Sequence, residues 1–303
     1  MRHAILGAGG IGGLLAAALA HGGGDVVLLM RPPASSRYPG RMRVDSVVLG
    51  QLDVAVPAAA TLEEPVDVLW VTTKATDLSA ALALAPPDRV GRATVIPLLN
   101  GIDHVALMRG SYPTVLAGSI RVESERVGDG QIRQGSPFLR VEVAAAHPVT
   151  DQLAAAGIAC RVHGDELTLL WDKLAFLAPV ALATTALNVT LGDARQHELF
   201  RGCRDEALAI AVASGAHLDA DAVRSAHDAA PAQMRSSMQK DVDAARQPEI
   251  DAIAGPILRG AALRGISGPH TQALTDLIER RSDADARPAQ RLSHPSLKFG
   301  GGS

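Results

Sequence analysis

The residues that most clearly indicate a chemistry form a glycine-rich loop near the N-terminus. The loop reads Gly7-Ala8-Gly9-Gly10-Ile11-Gly12, with an apolar run before it and small residues after it. This G-x-G-x-x-G spacing predicts a strand, a tight turn and a helix whose free N–H groups bind the phosphates of a dinucleotide. The first glycine permits the turn, the second lets a pyrophosphate approach, and the third lets the helix pack closely. We predict that the cofactor-binding residues include Gly7, Gly9, Gly10, Ile11 and Gly12. The alternative is a glycine-rich turn without a ligand.

The residue after the second predicted strand indicates which dinucleotide would bind. That strand covers Asp25–Met30, and Arg31 follows it. Enzymes that prefer NAD usually place an acid there to accept from the ribose 2′-hydroxyl, whereas a cation suits the 2′-phosphate of NADP. Because Arg31 is basic and Ser35, Ser36 and Arg37 lie close behind it, the sequence favours NADPH (NADP) as cofactor. The alternative is a solvated surface arginine.

Two polar residues follow the next two buried strands. The apolar runs Val66–Thr73 and Thr94–Leu99 predict parallel strands, and they end at Lys74 and Asn100. Ligands of open α/β sheets bind beyond the carboxyl ends of the strands, so we expect Lys74 to face cofactor or substrate. Asn100 could donate to a carbonyl and accept from an amide at the same edge. The alternatives are an ordinary surface lysine and a structural Asn-Gly turn.

Two groups in the second half of the chain suit the reduction of a carbonyl, which leaves an alkoxide that needs a proton or a fixed positive charge. Lys173 lies in a hydrophobic helix, where a lysine is costly unless it has a partner or a function. It could instead pair with Asp172 or extend to solvent. The serines at 236 and 237 can bind a carboxylate. Glu249 follows a proline, so it is either an acid of a helix start or a partner for Lys173.

The elements that must position these groups change type along the chain. The secondary structure of residues 41–66 is less clear from the sequence, and Val47–Leu49 and Val54–Val56 are short candidate strands. Residues 114–146 alternate, with a hairpin turn at Gly128-Asp129-Gly130 that we expect to extend the sheet in the antiparallel sense. A short helix over 151–156 and a strand over 159–162 complete this half.

Strand patterns stop near residue 165, and helical runs follow at 166–187, 198–214, 220–229, 249–263 and 270–279. The predicted fold class is therefore an α/β Rossmann-type N-terminal domain followed by an all-α C-terminal domain. We place the NADP(H)-binding domain at residues 1–164 and the helical substrate domain at 165–298, with a flexible tail at 299–303. The active site is expected in the cleft between the two domains.

Composition sets limits on function. The chain has 303 residues, 47% of them hydrophobic and 20% charged, with a net charge of −3, which does not indicate a general nucleic-acid or membrane binder. Its two cysteines are in no ligand spacing and the histidines form no metal motif, so we expect no metal.

The longest apolar stretch, Leu174–Leu187, contains Pro179 and is too short to span a bilayer. We expect a cytoplasmic enzyme with a small-molecule carbonyl substrate. Homodimers are common among soluble enzymes, so a homodimer is possible here.

Taken together, the order and spacing of these pieces resemble the ketopantoate reductase (2-dehydropantoate 2-reductase) family from Gly7 to about Thr271. The matching pieces are Gly7 to Gly12, Arg31, Val71-Thr72-Thr73-Lys74-Ala75, Asn100-Gly101, Leu170-Trp171-Asp172-Lys173-Leu174, Ser236-Ser237-Met238 with Asp241, and Glu249-Ile250-Asp251.

The resemblance implies a role for each matching residue. Lys173 would be the general acid that protonates the alkoxide, and Glu249 would bind the substrate and position that lysine. Ser237 would hold the substrate carboxylate. The same resemblance would place Asn100 and Lys74 beside the nicotinamide and the substrate, and it would assign the 2′-phosphate to Arg31.

The chain departs from the family at substrate-binding positions. The family usually carries asparagines four and eight residues after the catalytic lysine, where this chain has Leu177 and Ala181, and Ala254 replaces another. A pocket that loses hydrogen-bonding groups loses discrimination, so a more hydrophobic 2-oxo acid or ketone fits better than ketopantoate. Two alternatives remain: a reductase of another carbonyl or an imine, and a non-catalytic NADP(H)-binding regulatory protein.

Overall fold

The computed structural model describes residues 1–291, with side chains up to residue 282. The tail predicted at 299–303 lies outside the described residues. The chain divides into two compact units. The first contains Met1–Leu174 and Ser214–Leu218, and the second contains Ala175–Ala213 and the described residues from Asp219 onward.

The first unit contains all the strands of the described chain. In chain order they are β1 Arg2–Leu6, β2 Asp25–Leu29, β3 Arg41–Ser46, β4 Gly50–Ala55, β5 Ala58–Ala59, β6 Val68–Val71, β7 Thr94–Pro97, β8 Gly118–Arg121, β9 Ser124–Gly128, β10 Gln131–Gln134, β11 Arg140–Val143 and β12 Ala159–Val162. The central sheet is parallel and has the order β5-β2-β1-β6-β7.

The register of this sheet aligns the carboxyl ends of its four main strands. Leu6 pairs with Leu29 on one side and with Val71 on the other, and Val71 pairs with Pro97. The glycine loop and the segments that carry Arg31, Lys74 and Asn100 therefore all leave the sheet at one edge. The strand order reverses between β1 and β6, which is the point where open α/β sheets bind their ligands.

The helices are α1 Gly10–His21, α2 Ala34–Arg37, α3 Leu78–Leu82, α4 Pro87–Val90, α5 Asp103–Arg109, α6 Val149–Ala155, α7 Glu166–Leu187, α8 Leu191–Ala194, α9 Glu198–Ala213, α10 Ala220–Ala229, α11 Ser237–Asp243, α12 Ile250–Arg264 and α13 Pro269–Arg291. The predicted fold class, an α/β region followed by a helical region, is confirmed. Helix α11 was not among the predicted helices, although Ser236 and Gln239 have the spacing of a helix-capping pattern.

The hairpin of residues 124–134 does not extend the central sheet, so that prediction is wrong. The structure has two further sheets, with the orders β4-β3-β10-β9 and β12-β11-β8. The alternating residues before the predicted hairpin turn are divided between β8 and β9, which belong to different sheets. Between them, the Glu123 amide donates to the Ser136 hydroxyl at 2.9 Å, and the Glu123 carbonyl accepts from the Gly135 amide at 3.2 Å.

The candidate strand Val47–Leu49 is also wrong, because these residues form the turn between β3 and β4. The Ser46 hydroxyl accepts from the amides of Val48 at 3.1 Å and Leu49 at 2.8 Å. A short side chain that binds the backbone in this way favours a turn over a strand. The second candidate overlaps only the end of β4, which covers Gly50–Ala55, so Val56 lies beyond the strand.

Helix α7 has 22 residues, and among the helices of the described chain it is the one long and apolar enough to cross a membrane by length and composition. The apolar stretch Leu174–Leu187, which the sequence analysis judged too short to span a bilayer, is only part of this helix. In its most apolar window, 72% of the residues are buried inside the fold. Burial of this kind is typical of a core helix and accounts for its apolar sequence.

Candidate active site

The turn between β1 and α1 has the close contacts that require glycine. Gly7 has a φ of +102° and its amide donates to the Leu29 carbonyl at 3.3 Å. A Cβ on Gly7 would lie 2.8 Å from the Thr73 methyl carbon, and a Cβ on Gly12 would overlap the Gly7 carbonyl oxygen. The Thr72 hydroxyl donates to that same oxygen at 2.8 Å. These contacts hold the first turn of α1 tightly against the sheet.

Gly9 and Gly10 are glycines for different reasons. A Cβ on Gly9 would meet no atom within 4 Å, so packing within the chain does not exclude a side chain there. A Cβ on Gly10 would overlap the Ser124 carbonyl oxygen, and the Ser124 hydroxyl donates to the Gly10 carbonyl at 2.9 Å. Space remains beside Gly9 at a helix N-terminus, where N–H groups lack intrahelical partners. These residues fit a bound pyrophosphate.

Arg31 meets an acid that the sequence did not place there. Its guanidinium donates to the Asp77 carboxylate at 2.8 Å, and both side chains are about half-exposed. Asp77 ends a short 3-10 turn over Ala75–Asp77, directly after Lys74. Because β2 and β6 both flank β1, the segments after them come together above the glycine loop. Asp77 follows β6 whereas Arg31 follows β2, so the sequence alone did not place the two side chains together.

Lys173 reaches the carboxyl end of the central sheet. Its ammonium group donates to the Leu99 carbonyl at 3.3 Å, directly before Asn100 and the turn at Gly101, whose φ is +84°. Lys173 itself is half-buried. The structure therefore brings Lys173 to the segment that carries Asn100. The neighbouring Asp172 accepts from Arg121 at 2.5 Å, so the acid considered as a partner for Lys173 binds an arginine.

A buried histidine that the sequence analysis did not consider lies near Lys173. His104 is in α5, and its Nε2 is buried without a hydrogen-bond partner among the described side chains. Burial, and then the charge of Lys173, lowers the pKa of His104 to about 4. This side chain is therefore neutral at neutral pH. In the sequence, the feature that connects His104 to the predicted site is its position four residues after Asn100.

In the second unit, the two adjacent serines differ in exposure. Ser236 is buried, precedes α11 and accepts from the Gln239 amide at 3.1 Å, so it caps that helix. The Thr184 hydroxyl donates to Ser236 at 2.8 Å. Ser237 is the first residue of α11 and is exposed. Of the two serines, Ser237 has the side chain that is accessible to a ligand.

Glu249 precedes α12 and is 9% exposed. It is the N-cap residue of that helix, which agrees with an acid at a helix start, and its side chain makes no capping hydrogen bond to the helix. The positions where the family's asparagines are expected are apolar: Leu177 is half-buried, and Ala181 and Ala254 are each 1% exposed. No cluster of three or more potential metal ligands occurs among the side chains of residues 1–282.

Comparison with known proteins agrees with this architecture. The family model described as "Ketopantoate reductase PanE/ApbA" matches residues 3–145, and the model described as "Ketopantoate reductase PanE/ApbA C terminal" matches residues 166–282. The 2-dehydropantoate 2-reductase of Caulobacter vibrioides is 30% identical to this chain over 91% of this chain and 97% of that protein.

Two solved structures show the same fold. The PanE/ApbA family ketopantoate reductase from Ralstonia eutropha JMP134 has a TM-score of 0.84 at 26% identity, and the match covers 94% of this chain and 100% of that chain. A ternary structure of D-mandelate dehydrogenase with NADH and anilino(oxo)acetate has a TM-score of 0.83 at 22% identity, covering 94% of this chain and 99% of that chain. The second likeness concerns the fold alone.

A parallel sheet with a glycine loop at its first strand, followed by a helical region, is typical of two-part α/β oxidoreductases, and the relatives above are of this class. The chain belongs to the ketopantoate reductase family. The resemblance identified in the sequence is thereby confirmed.

Proposed function

We propose that this protein reduces a 2-oxo acid to a 2-hydroxy acid with NADPH. The observation that carries this proposal is the position of the Lys173 ammonium at the carboxyl end of β7. The glycine loop leaves β1, two strands away in the same sheet. At the usual strand spacing this is about 10 Å, which suits a dinucleotide with its pyrophosphate at one point and its nicotinamide at the other.

Each predicted residue has a role in this proposal. The amides of Gly10, Ile11 and Gly12 bind the pyrophosphate, Gly7 and Gly9 keep the loop close to it, and Arg31 binds the 2′-phosphate. Bound NADPH supplies the hydride. Lys173 gives a proton to the alkoxide oxygen and becomes a neutral amine. Lys74 and Asn100 contact the nicotinamide and the substrate, Ser237 binds the substrate carboxylate, and Glu249 binds its hydroxyl group.

The test is NADPH oxidation by the purified protein with a panel of 2-oxo acids that includes ketopantoate. We expect turnover that depends on both the 2-oxo acid and the enzyme, with the 2-hydroxy acid as product. A non-catalytic NADP(H)-binding protein would instead bind NADPH and turn over no member of the panel. Turnover of ketopantoate would place the protein in pantothenate biosynthesis.

The apolar residues at three substrate positions favour a second candidate, a reductase of a more hydrophobic carbonyl or imine. Leu177, Ala181 and Ala254 offer no hydrogen bond to a substrate hydroxyl. We expect an apolar 2-oxo acid of similar size to have a higher kcat/KM than ketopantoate. Leu177→Asn should move this ratio toward ketopantoate, with Leu177→Met as a size-matched control. Equal kcat/KM values for the two substrates would contradict the second candidate.

We also expect a cytoplasmic enzyme that forms homodimers, a common assembly for soluble enzymes of this size. Light scattering during size-exclusion chromatography measures the assembly directly, and a mass of one chain would contradict it.

A further inference from the structure

A small cavity in the first unit lies directly beside the glycine loop. Its wall includes Ala8 from that loop, Met30 from the end of β2, and Tyr38. On its other side it is lined by Arg126 and Asp129 from the hairpin of β9 and β10. The cavity therefore lies between two parts of the first unit. On one side are the two segments that would contact the adenosine half of a dinucleotide, and on the other is a hairpin that has no role in the function proposed above.

The hairpin is fixed to the glycine loop by direct contacts. The Ser124 hydroxyl donates to the Gly10 carbonyl at 2.9 Å, and the Ser124 backbone occupies the space that a Cβ on Gly10 would need. Ser124 is the first residue of β9. The start of β9 is thus held against the first turn of α1, where the phosphates of a dinucleotide would bind.

The register of the hairpin directs Arg126 to the same side. Arg126 pairs with Ile132, and the Ile132 side chain lies where a Cβ on Gly13 of α1 would be. Residues paired across two strands share a face of the sheet. Arg126 therefore lies on the face that covers α1, as its place in the cavity wall also shows. Arg133 and Glu125 form the neighbouring pair, on the opposite face.

Two charged side chains line this cavity, Arg126 and Asp129, and within the described residues only the charge of Asp129 is neutralised by an ion pair. Asp129 accepts from Arg37 at 3.1 Å, which neutralises that acid. Among residues 1–282, Arg126 is exposed and has no hydrogen bond or ion pair. A guanidinium with free donors next to a helix N-terminus suits a phosphate group.

We propose that Arg126 is a further phosphate-binding residue of the dinucleotide site, reaching from the β9–β10 hairpin over the glycine loop. The inference rests on the proposed function, because it assumes that the loop binds a dinucleotide. The ligand chemistry is a phosphate of the cofactor, either its 2′-phosphate or its pyrophosphate.

The test is calorimetric titration of the full-length protein with NADPH and with NADH, for the wild type and three variants. Arg126→Ala should weaken binding about tenfold, the size expected for a lost charge-assisted hydrogen bond. Arg126→Lys should recover part of the loss. Arg133→Ala is the matched control, because Arg133 belongs to the same hairpin but faces away and pairs with Glu125 at 3.5 Å. Thermal melts verify that each variant is folded.

The two cofactors distinguish the two phosphates. A loss for NADPH alone assigns Arg126 to the 2′-phosphate, and an equal loss for both cofactors assigns it to the pyrophosphate. Wild-type affinity of Arg126→Ala for both cofactors would overturn the inference and leave the proposed function intact. An equal loss in Arg133→Ala would also overturn it, since the effect would then be one of general charge. A wild-type protein that binds neither dinucleotide would overturn the proposed function itself.

Discussion

In the proposed function, single residues are responsible for the proton transfer and for the choice of cofactor. Lys173 is on a largely apolar helix, and its ammonium donates to the Leu99 carbonyl at the edge of the sheet where a nicotinamide is expected. A lysine in this position retains a fixed donor geometry, which a general acid needs. Arg31 is at the same edge, but it is bound to Asp77, so its charge is partly neutralised.

Lys173→Ala should lower turnover by about 10²–10⁴-fold, the usual contribution of an acid–base group. NADPH binding should remain, because the glycine loop and Arg31 are unchanged. Steady-state kinetics and NADPH titration measure the two effects separately. Lys240→Ala provides a control at an exposed lysine. Turnover that is unchanged in Lys173→Ala would remove this residue from catalysis.

Arg31→Ala should weaken NADPH binding far more than NADH binding, since only NADPH carries the 2′-phosphate. Asp77→Asn should have the reverse effect and tighten NADPH binding about fivefold. The reason is that it removes a carboxylate close to the bound phosphate, and repulsion between two charges about 4 Å apart in water amounts to about 1 kcal/mol. Dissociation constants for both cofactors measure each change. An equal loss for NADPH and NADH in Arg31→Ala would contradict the assignment to the 2′-phosphate.

At the scale of elements, the turn from β1 to α1 combines packing and binding, and its glycines separate the two. Gly12 is closely packed against the Gly7 carbonyl, whereas the space beside Gly9 is open. The same turn also receives β9 through Ser124. A substitution at each glycine therefore tests a different property of one element.

Gly12→Ala should destabilise the fold by about 1–3 kcal/mol or more, because the new methyl group forces α1 away from the sheet. Gly9→Ala should unfold at nearly the wild-type temperature, because its methyl group meets no atom of the chain. It should nevertheless bind NADPH weakly, since the methyl group occupies space meant for the pyrophosphate. Thermal melts and NADPH titrations of the two variants measure the difference. Wild-type NADPH affinity in Gly9→Ala would contradict binding at this loop.

At the scale of the whole molecule, buried histidines connect stability to pH. Burial, followed by the charge of the N-terminus, lowers the pKa of His3 to about 4. The Trp70 indole donates to the Nδ1 of His3 at 3.3 Å, which requires that nitrogen to be unprotonated. The pKa of His104 is also lowered to about 4. Both side chains are neutral in the native protein and take up protons more readily when it unfolds.

The stability from these histidines should be fully present above about pH 6.5 and should be lost as the pH falls toward 4. Each contributes up to about 3 kcal/mol, from the difference between the unfolded and native pKa values. Urea unfolding at pH 7 and pH 4.5 measures the loss. His104→Gln should reduce the pH dependence, and His21→Gln, at an exposed position, should leave it unchanged. The same pH dependence in His104→Gln and wild type would contradict the effect of burial.

Features that depend on local spacing could be predicted from the amino-acid sequence. The glycine pattern indicated the turn and the helix after β1, because only small residues allow that backbone approach. Apolar runs indicated the parallel strands, and the change to helical periodicity indicated the helical region. Lys173 and Glu249 were identified by residue type and by resemblance, and their roles stay predictions.

Contacts between residues that are distant in the chain could not be predicted from the sequence, because they depend on how the elements pack. Asp77 reaches Arg31 because the sheet order places β1 between β2 and β6, an order that strand patterns do not specify. The segment 114–134 contributes to two separate sheets because β8 pairs with β11, whereas β10 pairs with β9 and β3, and these partners are distant in the chain or chosen by packing. Arg126 reaches the cavity at the glycine loop because the hairpin register directs it there. Such contacts depend on packing between elements, and no local pattern encodes them.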